Sequence, residues 1–449
     1  MAIISQTEFS WEIIEAASDL DRLRMVLNAI PDESLIMRLE ERRKGRRNDY
    51  PIRAMWNSLL SGVVFGHPSV ASLRRELMRN GELRQLCGFP VLGGAKAVPE
   101  AWVYSRFFKM LGEHQELLCA MGDELVEHLR KCLPDFGKHL ADDTKGLGTH
   151  ARGRRDPKDS SDPDADWGMK VKRGQREDGT WWEKTTKWFG YKLHLIVDAQ
   201  YELPVAWQVT QASASDSTHL LPMLKQLRRK HPELVQDAEY MSADKGYDSE
   251  KNNRELWDEY HIKPVIPARE MWKQNNELPR QLYPERVDTL FYDQQGQVLC
   301  RCLNGAEEAK NYAAMAFVGF EEKRGCLKYR CPATAHGVTC TQRDMCNGGK
   351  HTKHGRIVRV PLEKDRRLFV PLARPTYAYE REYKKRTAVE RVNSRIDGPF
   401  GMEKHYVRGK AKMELKIDLI FVLMLAMAAG RVQAGQVDRI RSLLKPAAD

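Results

Sequence analysis

The sequence predicts an α/β protein in which a mixed β-sheet is flanked by helices. Two apolar segments, residues 191–198 and 203–210, are joined by residues 199–202, which is the signal of a β-hairpin. A leucine stripe over residues 216–229 then indicates a helix, and strand, helix and strand follow within residues 239–267. This order favours a mixed sheet covered by helices, and it is compatible with several α/β folds.

Four segments follow one another along the 449 residues, a length sufficient for two or three domains. Residues 1–135 are expected to form a helical N-terminal domain, because apolar residues recur every three or four positions. Residues 136–268 and 361–449 are expected to form the two parts of the α/β core, the second with C-terminal helices. Between them, residues 269–360 form an insertion with a cysteine cluster.

The charge of the chain indicates a polyanionic partner. The net charge is +11 and the excess is concentrated in residues 42–47, 152–155 and 381–395, which favours nucleic acid. A basic protein of another kind would match the number as well. Residues 69–80 combine a leucine stripe with arginines. They predict a helix that either lies on a DNA backbone or serves packing and dimerisation.

The location of the chain is also predicted. The N-terminus lacks a basic segment followed by an apolar one, so a cytoplasmic protein is expected. The longest apolar run, residues 419–429, is too short to span a bilayer and predicts a core helix. Nine cysteines in such a protein are expected to be reduced.

Three acids occupy positions suited to a magnesium site. Asp142 and Asp244 each follow a short apolar segment and precede a turn, and Glu390 lies among bases in residues 383–395. Hard cations such as Mg²⁺ prefer a few carboxylates together with water and phosphate oxygens. Because strand alternation places Asp143 on the face opposite Asp142, only one of these two can point into the site.

The segment around Glu390 predicts one helix. On that helix Tyr383, Arg386 and Glu390 share a face, while Ala388 and Val392 lie on another. A solvated helix with ordinary ion pairs is the alternative interpretation.

The stretches around these acids resemble the DDE transposases of bacterial insertion sequences, whose catalytic domain has a ribonuclease-H-like fold. The motifs that carry the resemblance are residues 142–144, 190–198, 243–248 and 386–391, in this order, with residues 50–53 opening a similar N-terminal helix.

The resemblance implies a catalytic trio. Asp142 would bridge two Mg²⁺ ions, for which Mn²⁺ would substitute, while Asp244 would ligate one ion and Glu390 the other. The family pattern favours Asp142 over Asp143, which remains the alternative. The implied reaction is cleavage of transposon ends and their joining to target DNA by two-metal phosphoryl transfer.

The resemblance also implies partners. Terminal inverted repeats and target DNA would be bound, by a homodimer associated with the bacterial nucleoid. Its DNA-binding residues would be Tyr383, Lys384, Lys385, Arg386, Arg391 and Arg395. Some members carry Tyr-x2-Arg-x3-Glu-x6-Lys, and the lysine position here is Asp397. This difference puts a DNA-hairpin route in doubt, and Arg395 or Lys404 are the candidate substitutes.

Three further features of the sequence leave alternatives open. Residues 151–187 are expected to form a long loop, whose tryptophans either stack on unpaired bases or hold the loop against the core. His194 either approaches the site or is a core histidine. Six cysteines of the insertion predict either a structural Zn²⁺ site or no metal, because their spacing is not that of a standard zinc ribbon. They are Cys300, Cys302, Cys326, Cys331, Cys340 and Cys346.

Two other classes of protein compete with a transposase. A stand-alone metal-dependent nuclease of the same fold would share the three acids without pairing two DNA ends. A catalytically silent DNA-binding derivative would keep the basic surfaces without the chemistry.

Overall fold

A computed structural model of the chain describes residues 19–43, 50–176, 178–272, 278–285, 288–301, 312–337, 340 and 355–442. The chain divides into two compact units. Unit 1 consists of Met1–Phe136, Thr144–Ala214 and Ala388–Asp449, and unit 2 consists of Gly137–Asp143 and Ser215–Thr387.

Helices occur in both units. Those before residue 137 are α1 (Asp19–Ala29), α2 (Glu33–Glu41), α3 (Ile52–Val64), α4 (Val70–Arg79), α5 (Gly81–Cys87), α6 (Ala101–Gly112) and α7 (Gln115–Cys132). Those after residue 214 are α8 (Leu220–Lys230), α9 (Pro232–Asp237), α10 (Glu250–Asp258), α11 (Pro332–His336), α12 (Tyr377–Lys384), α13 (Thr387–Asp397) and α14 (Lys410–Gln433). The helix predicted at residues 69–80 is α4. It buries Leu73 and Leu77, and its Arg74 pairs with Glu100, which supports packing. A DNA contact by α4 stays a prediction.

Unit 1 contains an antiparallel part of a sheet. The strands are the part of β1 (His139–Gly148) from Thr144 onward, β2 (Asp166–Gln175), β3 (Trp181–Asp198) and β4 (Leu203–Gln211). Within this unit β3 pairs antiparallel with both β2 and β4 and is also adjacent to β1. The predicted hairpin over residues 199–202 is confirmed.

The expectation of a loop over residues 151–187 is wrong for β2 and for the first part of β3. Glycines usually weaken strands because they lack a side chain to pack. Here Gly168 lies opposite Trp188 and Gly174 opposite Trp182, and the indole rings cover the glycines. The tryptophans of β3 thus compensate for the missing side chains of the glycines in β2. This contact is between strands, so the glycines considered by themselves predict a loop.

Unit 2 contains the parallel part. Residues His139–Ala141 of β1 pair parallel with β5 (Tyr240–Ser242), and β5 pairs parallel with β6 (Lys263–Val265). Parallel and antiparallel pairs thus occur together, and the chain has the predicted α/β class with a mixed sheet.

The predicted insertion, also in unit 2, forms two further antiparallel sheets. One contains β7 (Arg280–Gln281), β8 (Leu290–Tyr292), β9 (Val298–Arg301) and β10 (Tyr312–Ala314), and the other contains β11 (Ala316–Glu321), β12 (Cys326–Arg330) and β13 (Ile357–Pro361). Their apolar faces share a core that includes Leu290, Val298, Leu327 and Val360.

Helix α14 forms the centre of unit 1. It packs against α7, α1 and β4, and its residues from Ile417 to Gly430 are all buried, so the core-helix interpretation of residues 419–429 is confirmed. Asp418 is buried on this helix and accepts hydrogen bonds from Trp207 Nε1 and Gln115 Nε2, each at 2.7 Å. Within the described residues no helix is long and apolar enough to cross a membrane.

Asp418→Ala is expected to lower the free energy of unfolding by about 2–4 kcal/mol, because it leaves two partly buried N–H donors without an acceptor. Urea denaturation measures the change. Glu414→Ala is the matched control, since Glu414 lies one turn earlier on α14 and is only partly buried. Equal effects of the two substitutions would contradict the role given to Asp418.

Candidate active site

The candidate site begins with Asp142, which directly follows the residues of β1 that pair with β5. Asp244 lies just beyond the carboxyl end of β5. Both acids follow the point at which the parallel pairing of β1 with β5 ends in unit 2, and we call this region the acidic edge. Strand β1 continues to Gly148, so the expectation of a turn directly after Asp142 is wrong. Asp142 is only 1% exposed, and within the described residues its Oδ1 atom has no hydrogen-bond partner. Asp143 is partly exposed.

Several negative charges meet at this edge. Burial raises the pKa of Asp142 well above its ordinary value, and Asp143, Asp216 and Asp244 raise it further by repulsion. The Tyr247 hydroxyl is buried next to them, and burial followed by the same carboxylates raises the pKa of Tyr247 well above its ordinary value. The ionised form of Asp142 is therefore unfavourable unless a positive charge compensates it.

The donor set fits a hard divalent cation. Carboxylate oxygens are the ligands that Mg²⁺ prefers, and the unpaired Oδ1 of Asp142 is available for one. Asp244 Oδ1 instead accepts a hydrogen bond from the Gly246 N–H at 2.6 Å. Across the described part of the chain, no three His, Cys, Asp or Glu side chains come together as a metal site.

The turn after Asp244 is fixed by the buried Asp248. Its Oδ2 atom accepts hydrogen bonds from Arg367 Nη1 at 2.7 Å and from the Arg269 N–H at 2.8 Å. Its Oδ1 atom accepts one from Asn253 Nδ2 at 3.1 Å. These bonds hold the backbone of the motif, so the position of Asp244 is defined although its side chain can rotate.

Buried hydrogen bonds through His139 connect β1 with β5 and form a bridge between the two strands. His139 Nε2 lies 2.5 Å from Ser242 Oγ, and His139 Nδ1 lies 3.2 Å from Glu382 Oε2. All three residues are at most 5% exposed. Burial, followed by the charge of Lys385, lowers the pKa of His139 to about 4. The imidazole is therefore neutral at pH 7 and links the two strands to α12.

The prediction of one helix over residues 383–395 is wrong. Helix α12 ends at Lys384 and α13 begins at Thr387. The Thr387 hydroxyl donates to the Lys384 carbonyl at 3.0 Å, and such local bonds compete with the helical ones. Lys385, held by the buried Glu382 at 2.6 Å, lies in the break. Tyr383 and Glu390 are thus on different helices and do not share one helical face.

Arg386 nevertheless belongs to the acidic edge of unit 2. Its guanidinium lies 3.9 Å from the Asp143 carboxylate and 5.8 Å from the centre of the Tyr383 ring. The structure therefore brings Arg386, and with it Tyr383, to the acids within β1. Glu390 is exposed on α13 in unit 1, and its participation in the same site stays a prediction.

The other basic residues assigned to DNA binding differ in their environment. Lys384 is exposed and pairs with Glu380 at 2.8 Å. Arg391 Nε lies 2.5 Å from Glu202, and the half-exposed side chain can still meet solvent. Arg395 is largely buried, and it bonds both the carboxylate and the carbonyl of Glu202. A DNA contact by Arg395 stays a prediction.

Asp397, which occupies the lysine position of the pattern Tyr-x2-Arg-x3-Glu-x6-Lys, also has a partner within the protein. Asp397 pairs with Lys145 of β1 in unit 1. Arg395 is held by Glu202, which makes it a poor substitute for the expected lysine, while Lys404 is exposed. Lys145 is the cation that this part of the structure provides, and no sequence signal pointed to it.

The alternatives for His194 and the cysteines are partly decided. His194 is fully buried and its Nε2 lies 2.9 Å from Thr210 Oγ1, which supports a core histidine. Cys300 and Cys331 are buried, and Cys326 and Cys340 are partly exposed. Cys302 and Cys346 lie outside the described residues. A zinc site stays a prediction, since no three metal-ligating side chains meet where the structure is described.

Sequence reasoning did not select Asp216, although its charge reaches Asp142. Asp216 lies in the polar segment between β4 and α8. The available signal is its position beyond the end of an apolar strand, the same feature that selected Asp244.

The fold and the site define an α/β protein with carboxylates gathered where the parallel pairing of two strands ends. Residues 164–426 match the family model described as the transposase DDE domain. The match covers more than half of the chain, which therefore belongs to this transposase family. It includes Asp244 and Glu390 and begins after Asp142.

A curated relative supports the same family. A segment of 85 residues is 39% identical to the putative transposase for insertion sequence element IS402 of Burkholderia cepacia. This segment is 18% of the chain and 38% of that protein, so the chain spans well under half the length of the relative it matches.

Asp142→Asn is expected to stabilise the metal-free protein at pH 7. The pKa of Asp142 is raised in the folded state, so stability falls as the pH rises above the ordinary value of 3.8. Asparagine cannot ionise, and this loss disappears. Denaturation in EDTA from pH 4 to 8 measures the effect, and Mg²⁺ is expected to stabilise the wild type more than the variant.

The exposed Asp159 provides the control, as Asp159→Asn. If Asp142→Asn and Asp159→Asn have the same pH profile, the carboxylate repulsion at this edge is not significant.

His139→Gln is expected to reduce the loss of stability in acid. The pKa of His139 is lowered from 6.5 to about 4, so the unfolded state binds the proton more tightly and stability falls as the pH drops through this window. The difference corresponds to up to about 3 kcal/mol. Urea denaturation at several pH values between 4 and 7 tests this, and parallel profiles of wild type and variant would refute it.

Proposed function

We propose that the chain is the transposase of an insertion sequence, with a ribonuclease-H-like catalytic core that cuts the ends of the element and joins them to target DNA. The observation that carries the proposal is the buried Asp142 carboxylate, whose pKa is raised by burial and three neighbouring acids. Membership of the transposase family gives this acidic edge a chemical purpose, since it fits cations that act on phosphates.

The proposed catalytic acids are Asp142, Asp244 and Glu390. Two Mg²⁺ ions held by these carboxylates, with Mn²⁺ as a substitute, would activate the nucleophile and stabilise the leaving oxygen. Asp142 would supply the unpaired Oδ1, and Asp244 would turn away from the Gly246 N–H. The bridge through His139 would keep β1 and β5, and with them the two acids, in a constant relative position.

Arg386 would position the phosphate. It lies beside Asp143 and over Tyr383, where its charge would offset the phosphate of a scissile strand next to the acids. Lys384, Lys385 and Arg391 would extend this basic surface along the DNA backbone. The proposed partners are terminal inverted repeats and target DNA, bound by a homodimer.

A stand-alone nuclease is the second candidate, because the acidic edge would serve simple cleavage equally well. Strand transfer separates the two: a transposase joins a pre-cut transposon end to a plasmid, whereas a nuclease only cuts. A DNA-binding derivative without chemistry would do neither.

Asp244→Ala is expected to reduce Mg²⁺-dependent nicking of transposon-end DNA by at least about 100-fold, because one proposed ligand is lost. DNA affinity in EDTA is expected to stay the same. Glu250→Ala is the control, since Glu250 is exposed at the start of α10. Equal nicking by wild type and Asp244→Ala would leave Asp244 without a catalytic role.

A further inference from the structure

A two-stranded ribbon extends from the sheet of unit 1. It consists of residues 168–175 of β2 and 181–188 of β3, joined by the turn at residues 176–180, and we call it the ribbon. Residues 169–172 and 181–187 are exposed. A pair of strands that is exposed over this length has little contact with the core, and its side chains are accessible on both faces.

The two faces of the ribbon differ in chemistry. In the antiparallel register Lys170 lies opposite Thr186 and Lys172 opposite Lys184. Because paired residues share a face, these three lysines form one surface, the lysine face. By the same register this face carries no carboxylate between Gly168 and Gly174. The opposite face carries Met169, Val171, Glu183 and Lys187.

Two tryptophans bound the lysine face and stiffen the ribbon. A Cβ atom added to Gly168 would lie 2.4 Å from the Trp188 ring, and one added to Gly174 would lie 2.7 Å from the Trp182 ring. The rings therefore lie directly on the glycine backbone of the neighbouring strand. Trp188 also donates through Nε1 to the Tyr191 carbonyl at 2.9 Å. These contacts assign Trp182 and Trp188 to the support of the strands.

We propose that the lysine face of the ribbon contacts the phosphate backbone of duplex DNA. This inference rests on the proposed function, because it assumes that the chain acts on DNA. Residues two apart on a strand are about 7 Å apart, and cross-strand partners about 5 Å. Three ammonium groups at these spacings can contact neighbouring phosphates, and a two-stranded ribbon fits the major groove.

The chemistry of the lysine face favours a polyanion over a protein partner. An apolar partner would find no apolar side chain between the bounding tryptophans, and a cationic one would be repelled. Lysines act as point charges toward phosphates, so the contact is independent of base sequence and positions the DNA. The ribbon would therefore contribute to DNA affinity, while sequence recognition belongs to other parts of the protein.

The test uses the full-length protein and a 40-base-pair duplex of arbitrary sequence. The variant is Lys170→Gln/Lys172→Gln/Lys184→Gln, and the measurement is fluorescence anisotropy in EDTA over a range of KCl concentrations. The plot of log affinity against log salt has a negative slope, and the variant is expected to make this slope less steep by about 2 to 3. Its affinity at 100 mM salt is expected to be roughly 10²-fold lower. Circular dichroism and the thermal midpoint, which are expected to be unchanged, verify folding.

A matched pair of single substitutions separates a contact from a general charge effect. Lys172→Gln and Lys187→Gln each remove one positive charge from the ribbon, on opposite faces. If the lysine face contacts DNA, only Lys172→Gln makes the slope of log affinity against log salt less steep, by about 1. Equal slopes for these two variants, or wild-type binding by the triple variant, would overturn the inference.

The same preparations distinguish this inference from the proposed function. If wild-type protein nicks DNA with Mg²⁺ while the triple variant binds like wild type, the inference about the ribbon fails and the proposed function stands. If wild-type protein shows no nicking but the affinity of the triple variant depends less steeply on salt, the ribbon contact stands and the proposed chemistry fails.

Discussion

The burial of the Asp142 carboxylate is the constraint on which the candidate site depends. An ionised carboxylate away from water is unfavourable unless it is paired, and its Oδ1 atom is among the buried polar atoms without a hydrogen bond in the described chain. The neighbouring groups increase the cost, since they are acids. A protein that keeps such an arrangement sacrifices stability at one edge of its sheet, which is typical of a site whose charge is completed by a ligand.

The strands that hold these acids need support from residues that add no further charge next to the acids. The bridge from His139 to Ser242 and Glu382 supplies that support, because it joins the strands that precede Asp142 and Asp244 and connects them to α12. Glu382 also holds Lys385 in the break before α13. A neutral histidine is well suited to this position, since it accepts and donates hydrogen bonds without adding a charge beside buried acids.

The features that could be predicted from the sequence are those with a local signal. The hairpin at residues 199–202 and the strands before Asp142 and Asp244 follow from apolar periodicity and turn residues. The missed features depend on partners far away in the chain. Glu382, which holds Lys385 in the helix break, also contacts His139 at a separation of 243 residues, and Arg395 is held by Glu202 at a separation of 193 residues. The ribbon was missed because its glycines are covered by tryptophans of another strand.

The same distinction explains why clusters of positive charge are ambiguous in a sequence. Residues 381–395 have the densest basic pattern of this region, yet Arg395 is bound by a buried acid and Lys385 by another. Lys170, Lys172 and Lys184 are spread over two strands, and only the register places them on one face. An acid of the fold that pairs with a cation reduces the share of that charge that can act on DNA. The availability of each lysine or arginine is therefore a property of strand pairing and burial, and it decides which basic residues can contribute to the salt dependence of DNA binding.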